Sequence, residues 1–436
     1  MTSSTRVRAG QFNQAARQGA YILIALLLPR MGVSRATIGE WETLLFLGFV
    51  LGFGWTTGLL QGFLVRIGRL DDFHSLIFSR RAVQATLLFS AGVLLLTVLL
   101  HRPLFGLLQI DGAPPGWTFF LVLLLARWPA FCFEQALLVL GRVKLLTAYA
   151  VLNAVGLVAS FLLPLYLGYD LAVALQYLAG FAGAKLLLIL WWTLVRPPVP
   201  ATVTPTPFRH DILQWIGESR PLAAYAATAA LVTAVDPWIV NYWSGGDEEV
   251  FAVFRYGVRE LPLLAALING MTVVAIPLIA REGNPGLELL REQSRKLFHY
   301  IFLLSIVMMV TAGWWWTRVF TPLFADSLPV FRTFLLVVGC RLVFAMTVLT
   351  ALKHTRRIYL LGLLELAVNV VLSLLLAPAY GLLGIIWATV IASYFHELCL
   401  VFYLRYRAGI PWRDYADLRW YVAYLAALFL AYWWVV

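Results

Sequence analysis

Phe254-Arg255-Tyr256-Gly257-Val258-Arg259-Glu260 lies a few residues into an apolar run that extends from about Val250 to Ala280. The part that follows, Leu261 to Ala280, is long and apolar enough to read as a bilayer-spanning helix. A charged side chain at the centre of such a helix costs about 2.5–3.5 kcal/mol on insertion scales, so it is normally turned toward a cavity and has a task there. Arg255 and Arg259 are four apart, and a continuous helix would set them on one face. Two cations on one face of a span point to an anionic ligand.

Apolar runs of this length recur from end to end. The 436 residues are 61% hydrophobic and 13% charged, with mean hydropathy +0.83. That composition excludes a soluble domain and predicts an all-α polytopic membrane protein. Spans are expected at about 11–31, 40–65, 82–100, 117–140, 146–167 and 172–195, then at 213–241, 250–280, 297–318, 330–352, 358–378 and 384–404. A thirteenth, 419–435, ends in Trp433-Trp434. Between the sixth and seventh spans lies Arg196-Pro-Pro-Val-Pro-Ala-Thr-Val-Thr-Pro-Thr-Pro207, too rich in proline to be helical. The expected organisation is therefore an N-lobe over 1–196, a linker over 197–212, a C-lobe over 213–408, and a loop with the extra span over 409–436. Arg17 and the lack of a small-residue cleavage site make the first apolar run an uncleaved span rather than a signal peptide.

The net charge of +11 would suggest nucleic acid for a soluble protein. Here it collects in loops on one side: Arg6, Arg8, Arg66, Arg69, Arg80, Arg81, Arg142, Lys144, Arg209, Arg281, Arg291, Arg295, Lys296, Lys353, Arg356 and Arg357, among others. The opposite loops hold Arg30, Arg35, Arg102 and Arg318. Positive loops face the cytoplasm, so the N-terminus and the linker are expected there. Cys132, Cys340 and Cys399 fall within apolar runs and read as packing residues.

The halves look related. Gln11-Phe12 with Arg17 and Tyr21 parallels Gln214-Trp215 with Arg220 and Tyr225. Val151–Leu188 parallels Leu364–Leu400, and Arg142/Lys144 parallels Arg356/Arg357. With an even number of spans per half, both enter from the same side, which predicts two six-helix bundles in a parallel pseudo-two-fold repeat. Twelve core spans would then enclose a cleft, with the thirteenth added to them.

Charged residues inside the spans are the candidate site. Arg17, Arg220, Arg255 and Arg259 are the expected anion-binding set, Arg17 because the repeat matches it to Arg220. The blander alternative is separate ion pairs, such as Arg220 with Glu218 or Arg259 with Glu260. Asp236, Glu260 and Glu365 are candidate ion-coupling groups, with a purely structural role for Asp236 left open. Arg127 and Glu134 share a face of the fourth span and read as members of an inter-helix ion pair. Glu365 and Asn369 read as polar glue between helices, and His396-Glu397 as interfacial. The sequence has no P-loop, no H-E-x-x-H and no acidic pair in an outer loop, so neither an enzyme nor a cofactor is expected.

Ala234-Val235-Asp236-Pro237-Trp238-Ile239-Val240, continued through Val250–Phe254 and Arg259, resembles the span 7–8 signature of polysaccharide flippases. Glu365 to Ala392, with Asn369, Ser373, Pro378-Ala379-Tyr380-Gly381 and Gly384-Ile-Ile-Trp-Ala-Thr, resembles their span 11–12 signature. The family is the multidrug/oligosaccharidyl-lipid/polysaccharide (MOP) exporter superfamily, in its polysaccharide or O-antigen flippase-like branch. The chain departs from it at Pro237, where a basic residue is common, and in its thirteenth span.

The resemblance implies alternating access and a cationic central cavity that takes an undecaprenyl-diphosphate-linked oligosaccharide across a bacterial inner membrane. Partners would be that lipid-linked sugar diphosphate, membrane lipids, and polysaccharide polymerase or glycosyltransferases, with no nucleic acid. Arginine's planar fork suits a diphosphate. Cavity cations would also respond to membrane potential, at about 2.3 kcal/mol per charge per 100 mV. The rivals are a MATE-like drug or organic-cation antiporter, which predicts an acidic cavity, and a non-transporting scaffold or membrane-embedded transferase.

Overall fold

The computed structural model describes residues 3–110, 112–195, 207–259 and 262–436. Ten helices among the described residues are long and apolar enough to cross a membrane, and the chain is a multi-pass, all-α membrane protein. The first helix, Ser3–Leu27, carries Arg6, Arg8 and Arg17 along its length and is not among those ten, although a span was expected at 11–31. The second to seventh are Arg35–Ile67, Asp72–Leu99, Trp117–Val139, Val143–Tyr166, Leu171–Leu194 and Phe208–Trp243. The last, Leu418–Val435, is a full helix as expected.

Starts of helices follow from local chemistry. Ser34, Asp71, Asp170 and Asp247 each accept a hydrogen bond from a first-turn backbone N–H: those of Thr37, His74, Val173, and Glu249 with Val250. Each such cap is worth about 1 kcal/mol. Backbone strain marks other junctions. Thr355–Arg407 is one helical run that folds back at Gly381, whose φ of 59° favours a residue without a Cβ. The tenth span is broken into Ser327–Leu335, Val337–Arg341 and Ala345–Ala351, with Phe344 left-handed at φ 57°.

The eighth span corrects one expectation. The helix Glu248–Gly257 ends before Arg259, and a second helix, Pro262–Glu282, follows. Arg255 and Arg259 therefore do not share a helical face. A cause is legible in the sequence, and a close contact accompanies it. Proline disfavours helical geometry in the residue before it and suits the first helical position itself. Gly257 is pressed onto the tenth span, where a Cβ would lie 2.3 Å from Val330 Cγ1.

The chain forms two compact units, Met1–Ala234 and Val235–Val436, so the seventh helix contributes to both. In the first unit, Phe63, Phe78, Phe133, Tyr149 and Trp215 lie in one buried core. The second span meets the seventh through small residues: a Cβ on Gly58 would lie 2.2 Å from Ala223 Cα. Trp215 Nε1 donates to Leu59 O at 3.1 Å. Arg66 then reaches Gln214 at 3.1 Å, Asp211 at 3.3 Å and Glu218 at 3.4 Å, and Arg81 also pairs with Asp211. In the second unit the core holds Phe298, Phe302, Trp316, Phe331, Tyr421 and Tyr432. The last helix is bound into it. Tyr421 Oη donates to Gly339 O at 3.1 Å, Tyr432 Oη is 3.0 Å from Thr333 Oγ1, and Arg332 Nη1 donates to Val435 O at 2.8 Å.

Candidate functional site

In the first unit the polar residues of four spans converge. Asn13 and Arg17 are four apart on the first span and so share a face. Both donate to Glu134 Oε2 on the fourth span, at 2.8 and 3.0 Å. Glu134 is 4% exposed, which makes this a nearly enclosed carboxylate with its partner charge supplied by another helix. For Glu134 the expected inter-helix ion pair exists, with Arg17 of the first helix as its cation. Arg127 lies instead over two rings, Tyr21 at 5.5 Å and Phe131 at 5.6 Å, and Arg17 shares the Phe131 ring at 4.7 Å. Cation–π contacts of this kind are worth about 0.5–2 kcal/mol each. From the sixth span, Lys185 Nζ donates to Asn153 Oδ1 at 2.7 Å, within electrostatic reach of Arg17, Arg127 and Glu134. Of these cations Arg17 makes the ion pair with Glu134, and Arg127 and Lys185 lie within electrostatic reach.

Arg220 is not part of that group. It is exposed, and its side chain makes no ion pair or hydrogen bond among the described residues. The alternative pairing with Glu218 does not form either, because Glu218 Oε1 accepts from Arg66 and from Gln214. Arg255 is half-buried at the C-terminal turn of its helix, and Arg259 lies over the Tyr256 ring at 4.5 Å. Glu260 lies outside the described residues.

In the second unit, Asp236 on the seventh span is enclosed by two neutral donors. Asn369 Nδ2 donates to its Oδ1 and Thr389 Oγ1 to its Oδ2, both at 2.8 Å. Ser373 Oγ donates to Asn369 Oδ1 at 3.0 Å, which orients the amide. One turn away, Ser393 Oγ donates to Glu365 Oε1 at 3.3 Å, and His396 Nδ1 is 3.1 Å from Glu365 Oε2. The spacing explains the seam. Glu365, Asn369 and Ser373 fall at steps of four on the eleventh span, and Thr389, Ser393 and Glu397 at steps of four on the twelfth. The turn at Gly381 folds the two stripes together. The polar-glue expectation for Glu365 and Asn369 holds in this sense, and His396-Glu397 packs against the same seam. His396 is 9% exposed, and Glu397 Oε2 is enclosed without a hydrogen-bond partner among the described residues. Thr389 and Ser393 carry no charge, and only their four-residue spacing opposite the Glu365–Ser373 stripe could have marked them in the sequence. No group of three or more His, Cys, Asp or Glu that could hold a metal ion occurs among the described residues.

No protein-family model matches the chain, and no curated protein matches its sequence significantly. Solved structures do match its fold. Lipid II flippase MurJ in an inward closed conformation superposes with TM-score 0.67 at 13% identity, over 99% of this chain and 98% of that one. A multidrug resistance MATE family transporter of the MOP superfamily, inward-facing, gives 0.61 at 13% identity over 99% of both chains. The Vibrio cholerae MATE transporter VcmN gives 0.52 at 18% identity, over 91% of this chain and 98% of that one. The class defined by the fold is thus a polytopic all-α membrane protein of the architecture that MurJ and the MATE transporters share. This is the fold that the resemblance to MOP exporters implied.

Proposed function

We propose that the chain is a transporter of the MOP superfamily that flips a lipid-linked sugar diphosphate across the membrane by alternating access. The observation that carries this reading is the cluster of cations in the first unit, where Arg17 pairs with Glu134 and Arg127 and Lys185 lie within electrostatic reach. Enclosed like charges are costly without an anion to balance them, and a diphosphate supplies two or more negative charges in a form that guanidinium forks bind bidentately. Arg220 on the seventh span, and Arg255 and Arg259 at the break in the eighth, are further candidate anion-binding residues. The lipid tail remains in the bilayer. Asp236 and Glu365 serve as ion-coupling groups, exchanging a cation as the transporter cycles. Enclosure of Asp236 between two uncharged donors supports that role.

Asp236 also favours a second reading, a MATE-like organic-cation antiporter, in which that acidic seam and not the arginines would serve the cargo. The two readings separate in vesicles reconstituted with the protein. Transport of a lipid-linked diphosphate that falls in an Arg17→Gln/Arg127→Gln variant supports the flippase. Uptake of an organic cation that survives those changes and is lost in Asp236→Asn supports the antiporter.

A further inference from the structure

A cationic cavity opens in the first unit, lined by residues from stretches where the sequence concentrates its cations. It measures about 480 Å³ and is lined by Arg80, Arg142 and Lys144 together with Gly141, Trp192 and Leu145. None of the described residues lining it is acidic. Arg80 is built into its wall. Its guanidinium lies 5.2 Å from the Trp192 ring centroid and donates to the Val195 carbonyl, while its Nε is enclosed with no hydrogen-bond partner among the described residues. Arg142 and Lys144 are exposed, with their charges free to meet a ligand.

The backbone adds to the field. Arg142 is the N-cap of the fifth span and provides no side-chain cap, so the first-turn N–H groups at Val143, Lys144 and Leu145 open on the cavity. Such a helix start favours an anion. The turn that brings it there depends on Gly141, left-handed at φ 69°, where a Cβ would lie 3.1 Å from Arg6 Nη2. Arg6 thereby joins the rim, anchored by donation to Val139 O at 3.4 Å.

We infer that this cavity, formed by Arg80, Arg142, Lys144 and the open start of the Val143–Tyr166 helix, binds the phosphate of an anionic phospholipid headgroup. A free phosphate has the same chemistry, but the surroundings favour the lipid. Leu145, Trp191 and Leu194 beside the cavity are 48%, 67% and 69% exposed, an apolar surface on which acyl chains lie. Basic pockets between membrane helices are a recurrent form of headgroup site, and the volume is in the range of small-ligand pockets. This site is separate from the Arg17–Glu134 cluster and does not depend on the transport reading.

The test is native mass spectrometry of the purified full chain with phosphatidylglycerol or phosphatidylcholine, together with thermal unfolding in inorganic phosphate. Wild type is expected to retain phosphatidylglycerol over phosphatidylcholine by about tenfold. Arg142→Gln/Lys144→Gln, two exposed changes that leave folding intact, should abolish the preference. Arg356→Gln/Arg357→Gln removes the same charge elsewhere and should keep it. Equal retention by wild type and the first variant would overturn the proposal, as would equal loss in the second. Stabilisation by phosphate that needs Arg142 and Lys144, without lipid retention, would overturn the headgroup assignment in favour of the free ion.

Discussion

Arg17 Nη1 donates to Glu134 Oε2 at 3.0 Å, joining the first span to the fourth across 117 residues of sequence. Arg17 keeps 28% of its side chain exposed while Glu134 keeps 5%. The carboxylate is therefore structural, and the arginine is held with donors to spare. Glu134→Gln should lower unfolding free energy by about 1.5–3 kcal/mol, the range for hydrogen bonds to charged groups. Thermal unfolding in detergent measures this directly, and an unchanged midpoint would show that the pair contributes nothing.

Arg127 should behave in the opposite way. Its contacts are aromatic faces, so Arg127→Gln should cost only about 0.5–2 kcal/mol of stability. Transport of an anionic lipid should nonetheless drop by at least about tenfold, because a cation facing the cargo is lost. Stability and transport read on the same preparation separate the two effects. Equal, small losses in both would assign Arg127 to packing alone.

The approach of the second span to the seventh gives a packing prediction. Gly58→Ala places a methyl 2.2 Å from Ala223 Cα, which backbone cannot evade by rotating a side chain. Overpacking of this kind costs about 1–3 kcal/mol. Gly92→Ala, with nothing within 4 Å, is the control and should be neutral. A difference in unfolding midpoint between the two variants checks the geometry.

The thirteenth helix should be indispensable to folding. Tyr421 and Tyr432 are each 3% exposed and hydrogen-bonded to the tenth span. Ending the chain at Asp417 should yield aggregated or degraded protein, whereas Tyr421→Phe should fold with a loss of about 1 kcal/mol. Monodisperse elution of the shortened chain would contradict this.

Apolar runs, caps and the positions of the spans were legible because each depends on residues near in sequence. The glycine and proline signals at Gly381 and Pro262 were present too, but only the structure gives them their weight. At Gly257 the backbone comes close to Val330, a contact that no local pattern announces. The partner of Glu134 was hidden for a related reason. Arg17 lies 117 residues away on another helix, and nothing in the sequence marks it as the partner. Asp236 was visible as an anomaly, yet its donors Asn369 and Thr389 are 133 and 153 residues away. The contact of His396 with Glu365 was hidden in the same way, since the two are 31 residues apart on helices that meet only through the turn at Gly381.

Asp236→Asn should fold, since an amide can still meet Asn369 and Thr389. It should lose the dependence of transport on a cation gradient. Comparing transport with and without an imposed gradient checks this, and gradient-dependent transport in the variant would return Asp236 to a structural role.

The central claim is that intramembrane cations carry an anionic lipid headgroup. Its most direct measurement is the flipping rate of a fluorescent polyprenyl-diphosphate sugar in reconstituted vesicles, for wild type, Arg17→Gln/Arg127→Gln and Arg255→Ala/Arg259→Ala. The account predicts flipping by wild type and a fall of at least about tenfold in both variants, equivalent to 1.4 kcal/mol or more in the rate-limiting step. Wild-type rates in both variants, or no flipping by wild type alongside uptake of an organic cation, would contradict it.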